Sequence, residues 1–279
     1  MFQNRTVSVR ALRAALLSSL LFASGAFADE AQVTAPSALS SRTEEAHWGY
    51  AQRVSPAHWG ELAGSGMCST GQQQSPIPLQ STNVSHQHVS IPSYHYQTSQ
   101  VHMLNTGHTV EFAYDVGSSV QLGGNVYTLK QFHFHTPSEH VVDHIRYPHP
   151  MEMHLVHVDA NGNPALVVAV FIKAGAVNNV LLNAFSHLPK HAGQVSAPLG
   201  AVLNASALLP HDKDFFQYTG SLTTPPCSEG IQWYVLKNPI ELSDAQIAEY
   251  QRLPHLNPSN RPLQPLNGRD AKLHPIPGY

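Results

Sequence analysis

Residues 131–140 read QFHFHTPSEH, from Gln131 to His140, and carry three imidazoles and a carboxylate within ten positions. Side chains on a strand alternate faces, so Gln131, His133 and His135 share one side while Phe132 and Phe134 take the other. The run MEMHLVHV at 151–158 repeats the pattern: Glu152, His154 and Val156 face one way, and Met153, Leu155 and His157 face the other. Two such strands side by side would bring His133, His135 and His154 to one place. Three histidines with a fourth position left for water is the donor set of catalytic zinc, whereas structural zinc is closed and usually cysteine-rich. Gln131 and Glu152 each stand two residues before a histidine on the same face, where each could accept that ring's second N–H. An H-x-H pair by itself is equally a strand with two satisfied polar side chains.

The rest of the chain sets the context. Its 279 residues are 42% hydrophobic, enough to bury a core, and the 12% charged residues with a net charge of −3 and no basic block argue against a nucleic-acid surface. Nineteen histidines against fifteen Lys plus Arg turn attention to metal or proton chemistry.

Residues 1–28 read as an export signal: Arg5, Arg10 and Arg13, then the apolar run ALLSSLLFA, too short to span a bilayer, then Ala26-Phe27-Ala28 as a cleavage site. No later segment is long and apolar enough to be a membrane span. The expected location is therefore exported, periplasmic or secreted, where cysteines can pair. Residues 29–46 lack a hydrophobic period and read as a flexible lead-in. One domain is expected over 47–279.

Within it VHMLNT, TVEFAY, VYTLKQFHFH, MEMHLVHVD, ALVVAVFIKAG, FFQYTG and IQWYVLKN read as strands separated by turn residues. Helices are few: one over roughly 179–187, and one opened by the capping box Ser243-Asp-Ala-Gln246. His140 and His157 read as buried hydrogen-bonding residues, and His149, His274 and most of the others as surface or loop residues. The fold class is mostly β.

Several separate blocks resemble the alpha-class carbonic anhydrases, in the exported bacterial form. They are HWGY (47–50), GQQQSPI (71–77), LNTGHT (104–109), QFHFHTPSEH, MHLVH (153–157), SLTTPPC (221–227), IQWYVL (231–236) and NRPLQPLNGR (260–269). The resemblance implies a large central, largely antiparallel twisted sheet with short peripheral helices. It implies one zinc ion per chain on His133, His135 and His154, backed by Gln131, by a backbone carbonyl near Ser259 and by Glu152. The implied reaction is reversible hydration of carbon dioxide to bicarbonate and a proton by zinc-bound hydroxide, with ester hydrolysis as a weak side activity.

By the same resemblance Thr223 orients the nucleophile and donates to Glu139, and Thr224 contacts bicarbonate. Val156, Val167, Leu222 and Trp233 form the apolar wall for the gas. His108 is the proton shuttle, and Tyr50, Thr106 and Glu111 hold its waters, Thr106 and Glu111 standing where amides are common. Cys68 and Cys227 occupy the positions of a disulfide. Homodimerisation is left open. Two other classes stay in view: a catalytically dead binding module on the same fold, which would lack a zinc histidine, and a histidine-rich zinc scavenger. A zinc protease lacks its H-E-x-x-H signature here.

Overall fold

The fold is given by a computed structural model that describes residues 48–85, 87, 89–144 and 149–276. The expected leader and lead-in, with His47, His86 and His88, lie outside the described residues. Eleven described strands join one sheet: β1 Ser93–His95, β2 His102–Asn105, β3 Val110–Ala113, β4 Ser119–Leu122, β5 Asn125–His135, β6 Met151–Val158, β7 Pro164–Ala174, β8 Val195–Ser196, β9 Phe215–Ser221, β10 Glu229–Leu242 and β11 Lys272–His274. Their order is β8-β2-β3-β5-β6-β7-β10-β9-β11, with β4 also pairing β5 and β1 at its side.

The sheet is mixed rather than strictly antiparallel, because β7 runs parallel to β10, with Val167 opposite Trp233. That pair is joined by residues 175–228, the long crossover that parallel neighbours require. Every other pair in the sheet is antiparallel. The sequence does not mark β1, β4, β8 and β11, since two to four residues with no longer alternating run around them carry too little periodicity to declare a strand.

Both faces of the middle of the sheet are covered, which is why β7 is buried without interruption from Leu166 to Ile172. Besides the short α1 (Met67–Thr70), which carries Cys68, two helices lie on the sheet: one face packs Phe132, Phe134, Met153, Leu155, Val168 and Val170 against α2 (Asn179–Ser186) and α3 (Asp244–Gln251). The Asn178 side chain caps α2 by accepting from Val180 and Leu181, and Ser243 with Gln246 forms the capping box of α3. Val156, Val167, Ala169, Phe171 and Trp233 build a second apolar cluster on the opposite face.

A β-bulge between Leu129 and Gln131 adjusts β5 to this arrangement. Leu129 and Phe132 are three apart and on an unbroken strand would point to opposite sides, yet both enter the first cluster. Beyond the bulge Phe132 and Phe134 fill the core while His133 and His135 turn to the other face.

Two histidines expected at the surface are buried. His149 stacks on Phe171 at 5.1 Å, and burial pulls its pKa down to about 4, while His274 stacks on Phe215 at 5.2 Å. A loop histidine and one tucked against a strand look alike in sequence.

His157 is wholly buried, with Nε2 2.9 Å from the Tyr96 hydroxyl, and burial pushes its pKa from 6.5 down to about 3. The unfolded chain therefore binds this proton first, so the contribution to stability is complete above about pH 6.5 and is lost as pH falls toward 3. Urea midpoints should decline over that range. His157→Asn should flatten the decline by up to one proton's share, about 1.4 kcal/mol per pH unit; an unchanged slope would show that His157 is not a source of acid sensitivity.

Candidate metal centre

The register of β5 and β6 sets His133 directly opposite His154, and His135 follows two positions along on the same face. The three rings meet with centroids 5.0 Å (His133 to His135), 5.5 Å (His133 to His154) and 4.6 Å (His135 to His154) apart. One nitrogen from each ring lies within 4.8 Å of the other two, close enough to share an ion.

The opposite nitrogen of each ring is committed. His133 Nδ1 is 2.9 Å from Gln131 Oε1, His135 Nδ1 is 2.7 Å from the Ser259 carbonyl, and His154 Nε2 is 2.9 Å from Glu152 Oε1. Each acceptor takes an N–H, so the lone pairs of His133 Nε2, His135 Nε2 and His154 Nδ1 are left for a ligand. Burial, reinforced by the neighbouring rings, holds His133 well below its usual pKa, and burial likewise lowers His154. Neutral imidazoles are what a divalent cation requires. His135 Nε2 is buried with no hydrogen-bond partner, an orphaned lone pair that a metal would satisfy. The donor set fits zinc.

Behind the rings lies a fully buried polar layer. Glu152 Oε2 accepts the backbone N–H groups of Glu139 and His140 at 2.9 and 2.8 Å, while Oε1 also accepts from His140 Nδ1 at 2.6 Å. Burial alone would raise this carboxyl, but the charge of His140 and the hydrogen bonds from His140 and His154 outweigh it and hold it well below the usual range. His140 continues to the Tyr218 hydroxyl at 2.7 Å, and Tyr218 donates to Ser75 Oγ.

Glu139 Oε1 accepts the backbone N–H of Arg261 at 2.7 Å, whereas Oε2 is buried without a hydrogen-bond partner. The expected bond from Thr223 is therefore not formed here, although Thr223 is itself buried. With Oε1 occupied, Oε2 is the acceptor that remains open to a hydroxyl.

Val156, Val167 and Trp233 are buried in the second apolar cluster, and half-buried Leu222 packs on it. The Trp233 ring lies 4.9 Å from His154, and its Nε1 donates to the Ser221 carbonyl. Half-buried Thr224 adjoins this wall in sequence, and its carbonyl accepts from the Cys227 N–H.

Tyr50, Thr106 and His108 line one cavity of about 550 Å³. His108 stacks on Trp48 with centroids 3.8 Å apart and planes 9° from parallel. Its turn is tied to β5, since the Thr109 hydroxyl donates to the Phe134 carbonyl between the two β5 histidines. Glu111 does not line this cavity; it sits on β3 beside the metal-ligand strand.

Cys68 and Cys227 form a disulfide with Cα atoms 5.0 Å apart. Arg261, which no local sequence pattern marks, organises its surroundings. Its buried guanidinium donates to the Cys68 and Ser75 carbonyls and to Gln74 Oε1, and Gln74 in turn donates to the Cys227 carbonyl. Burial draws its pKa down to about 10 against the pull of Glu139. Opening the disulfide, which spans a sequence separation of 159, by Cys68→Ser with Cys227→Ser should cost up to about 5 kcal/mol in urea unfolding. A loss near zero would mean that the Arg261 contacts alone fix this region.

Comparison with known proteins agrees with this geometry. The family model for eukaryotic-type carbonic anhydrase matches residues 54–274. A carbonic anhydrase of Klebsiella pneumoniae is 42% identical over 226 residues, covering 80% of this chain and 89% of that protein. One from Pectobacterium carotovorum is 38% identical over 232 residues, covering 82% and 92%. The solved complex of the Thermovibrio ammonificans alpha-carbonic anhydrase with the inhibitor sulfanilamide superposes with a TM-score of 0.75 at 39% identity, covering 82% of this chain and 98% of that one.

Proposed function

The chain belongs to the eukaryotic-type, alpha-class carbonic anhydrases, and on that footing we propose that His133, His135 and His154 hold one zinc ion at which carbon dioxide is reversibly hydrated to bicarbonate and a proton. The observation that carries the reading is the convergence of three imidazole lone pairs, each fixed by an acceptor on the far side of its ring. Zinc bound there supplies a Lewis acid that makes water nucleophilic near neutral pH, a chemistry for which carbonic anhydrase is itself the reference case.

The chain's own residues do the rest. As a carboxylate Glu139 can only accept, and its Oε1 is already taken by Arg261, so a Thr223 hydroxyl turned toward the open Oε2 would give its proton there. The Thr223 oxygen then has only acceptor capacity left, which fixes the direction of the nucleophile's O–H. Carbon dioxide carries no charge and is held against Val156, Val167, Leu222 and Trp233. Thr224 meets the bicarbonate product at the edge of that wall. His108 takes the released proton and passes it to solvent through the cavity it shares with Tyr50 and Thr106. Activated esters entering the same site are hydrolysed more slowly as a side reaction.

The catalytic domain is residues 47–279, freed of its leader after Ala28 and exported to the periplasm or beyond. The disulfide is compatible with an oxidising compartment, and among the described residues no helix is long and apolar enough to cross a membrane.

Stopped-flow hydration of carbon dioxide tests the proposal. Activity should vanish on chelation and return with one equivalent of zinc; full activity in metal-free protein would refute it. In dilute buffer His108→Ala should lower kcat by about tenfold or more while leaving kcat/KM nearly intact, with added imidazole restoring the loss. An unaffected kcat would reduce His108 to a loop residue.

A further inference from the structure

Val110 and Phe112 face the first apolar core, so Glu111 between them points to the face that carries the histidines. The β3 to β5 register pairs Phe112 with Phe132 and Ala113 with Gln131, and one step further along it sets Glu111 beside His133. On the other side β2 presents Leu104 opposite Glu111, so no cation answers it from across the strand. Among the described residues Glu111 makes no hydrogen bond or ion pair, and it is half-buried. Its situation differs from that of the two deeper carboxylates. Glu152 is saturated by donors, and Glu139 is held by the Arg261 N–H.

We propose that Glu111 is a specificity-determining residue: its uncompensated carboxylate beside His133 weakens the retention of anions at the His133, His135 and His154 site and so favours release of bicarbonate. This rests on the metal-site function proposed above. The two sides of the reaction differ in charge, because carbon dioxide is neutral and bicarbonate is an anion. A fixed negative charge on the wall therefore opposes the product and leaves the substrate's affinity alone. Partial burial raises the pKa of Glu111, and above that pKa it strengthens the effect, since less water screens the charge than would screen one at the surface. An amide at this position would instead offer an N–H to the same anion.

The test titrates thiocyanate, a monovalent anion, by calorimetry into zinc-loaded wild type, Glu111→Gln, Glu111→Leu and Glu111→Asp. Charge removal should tighten binding roughly fivefold in both Glu111→Gln and Glu111→Leu, while Glu111→Asp stays within about twofold of wild type. The KM for bicarbonate in the dehydration direction should fall by a similar factor in the two uncharged variants. Equal affinities across the series would overturn the proposal, as would tightening in Glu111→Gln alone, which would assign the effect to the amide's hydrogen bond rather than to charge. Failure of every protein, wild type included, to bind thiocyanate would instead overturn the metal-site reading beneath it.

Discussion

Everything at this centre depends on each of three imidazoles having one nitrogen spoken for by an acceptor. Burial without such partners would cost several kcal/mol per polar group, and a ring free to turn would present a donor as readily as a lone pair. Gln131, Ser259 and Glu152 remove both difficulties at once. They satisfy one edge of each ring and fix which edge is basic. The middle acceptor comes from 124 residues away in sequence, so the C-terminal stretch has to be in place before the site exists.

That stretch is held by Arg261. Its backbone N–H fixes Glu139 while its side chain binds Cys68, Gln74 and Ser75, so one residue joins the disulfide region to the carboxylate under the metal centre. A buried guanidinium is costly unless its donors are matched; three carbonyl oxygens meet this one, and its Nε is left without a hydrogen-bond partner. The sheet contributes the other half of the rigidity. Phe132 and Phe134 anchor one face of β5 so firmly in the core that His133 and His135 can only point to the other.

The sequence shows these features to very different degrees. The alternation in QFHFH and MEMHLVHV carries the strand assignment, the shared face of the histidines and two of their three acceptors, because all of that is local and has period two. The capping box at Ser243 is local as well, and α3 begins where it indicates. The parallel partnership of β7 with β10 is not legible, since it depends on where a long crossover lands. Arg261 is hidden for a related reason: its meaning lies in contacts with residues 68 to 75 and 139, and no local pattern marks them. The open Oε2 of Glu139 is likewise a property of packing, as are the burial of His149 and the stacking of His108 on Trp48.

X-ray absorption at the zinc edge of the purified mature protein tests the central claim most directly. The account predicts one zinc per chain with three imidazole nitrogens at about 2.0–2.1 Å, and loss of that signature in His135→Ala. Substoichiometric metal, several loosely bound ions per chain, or a first shell of carboxylate oxygen unaffected by His135→Ala would contradict it.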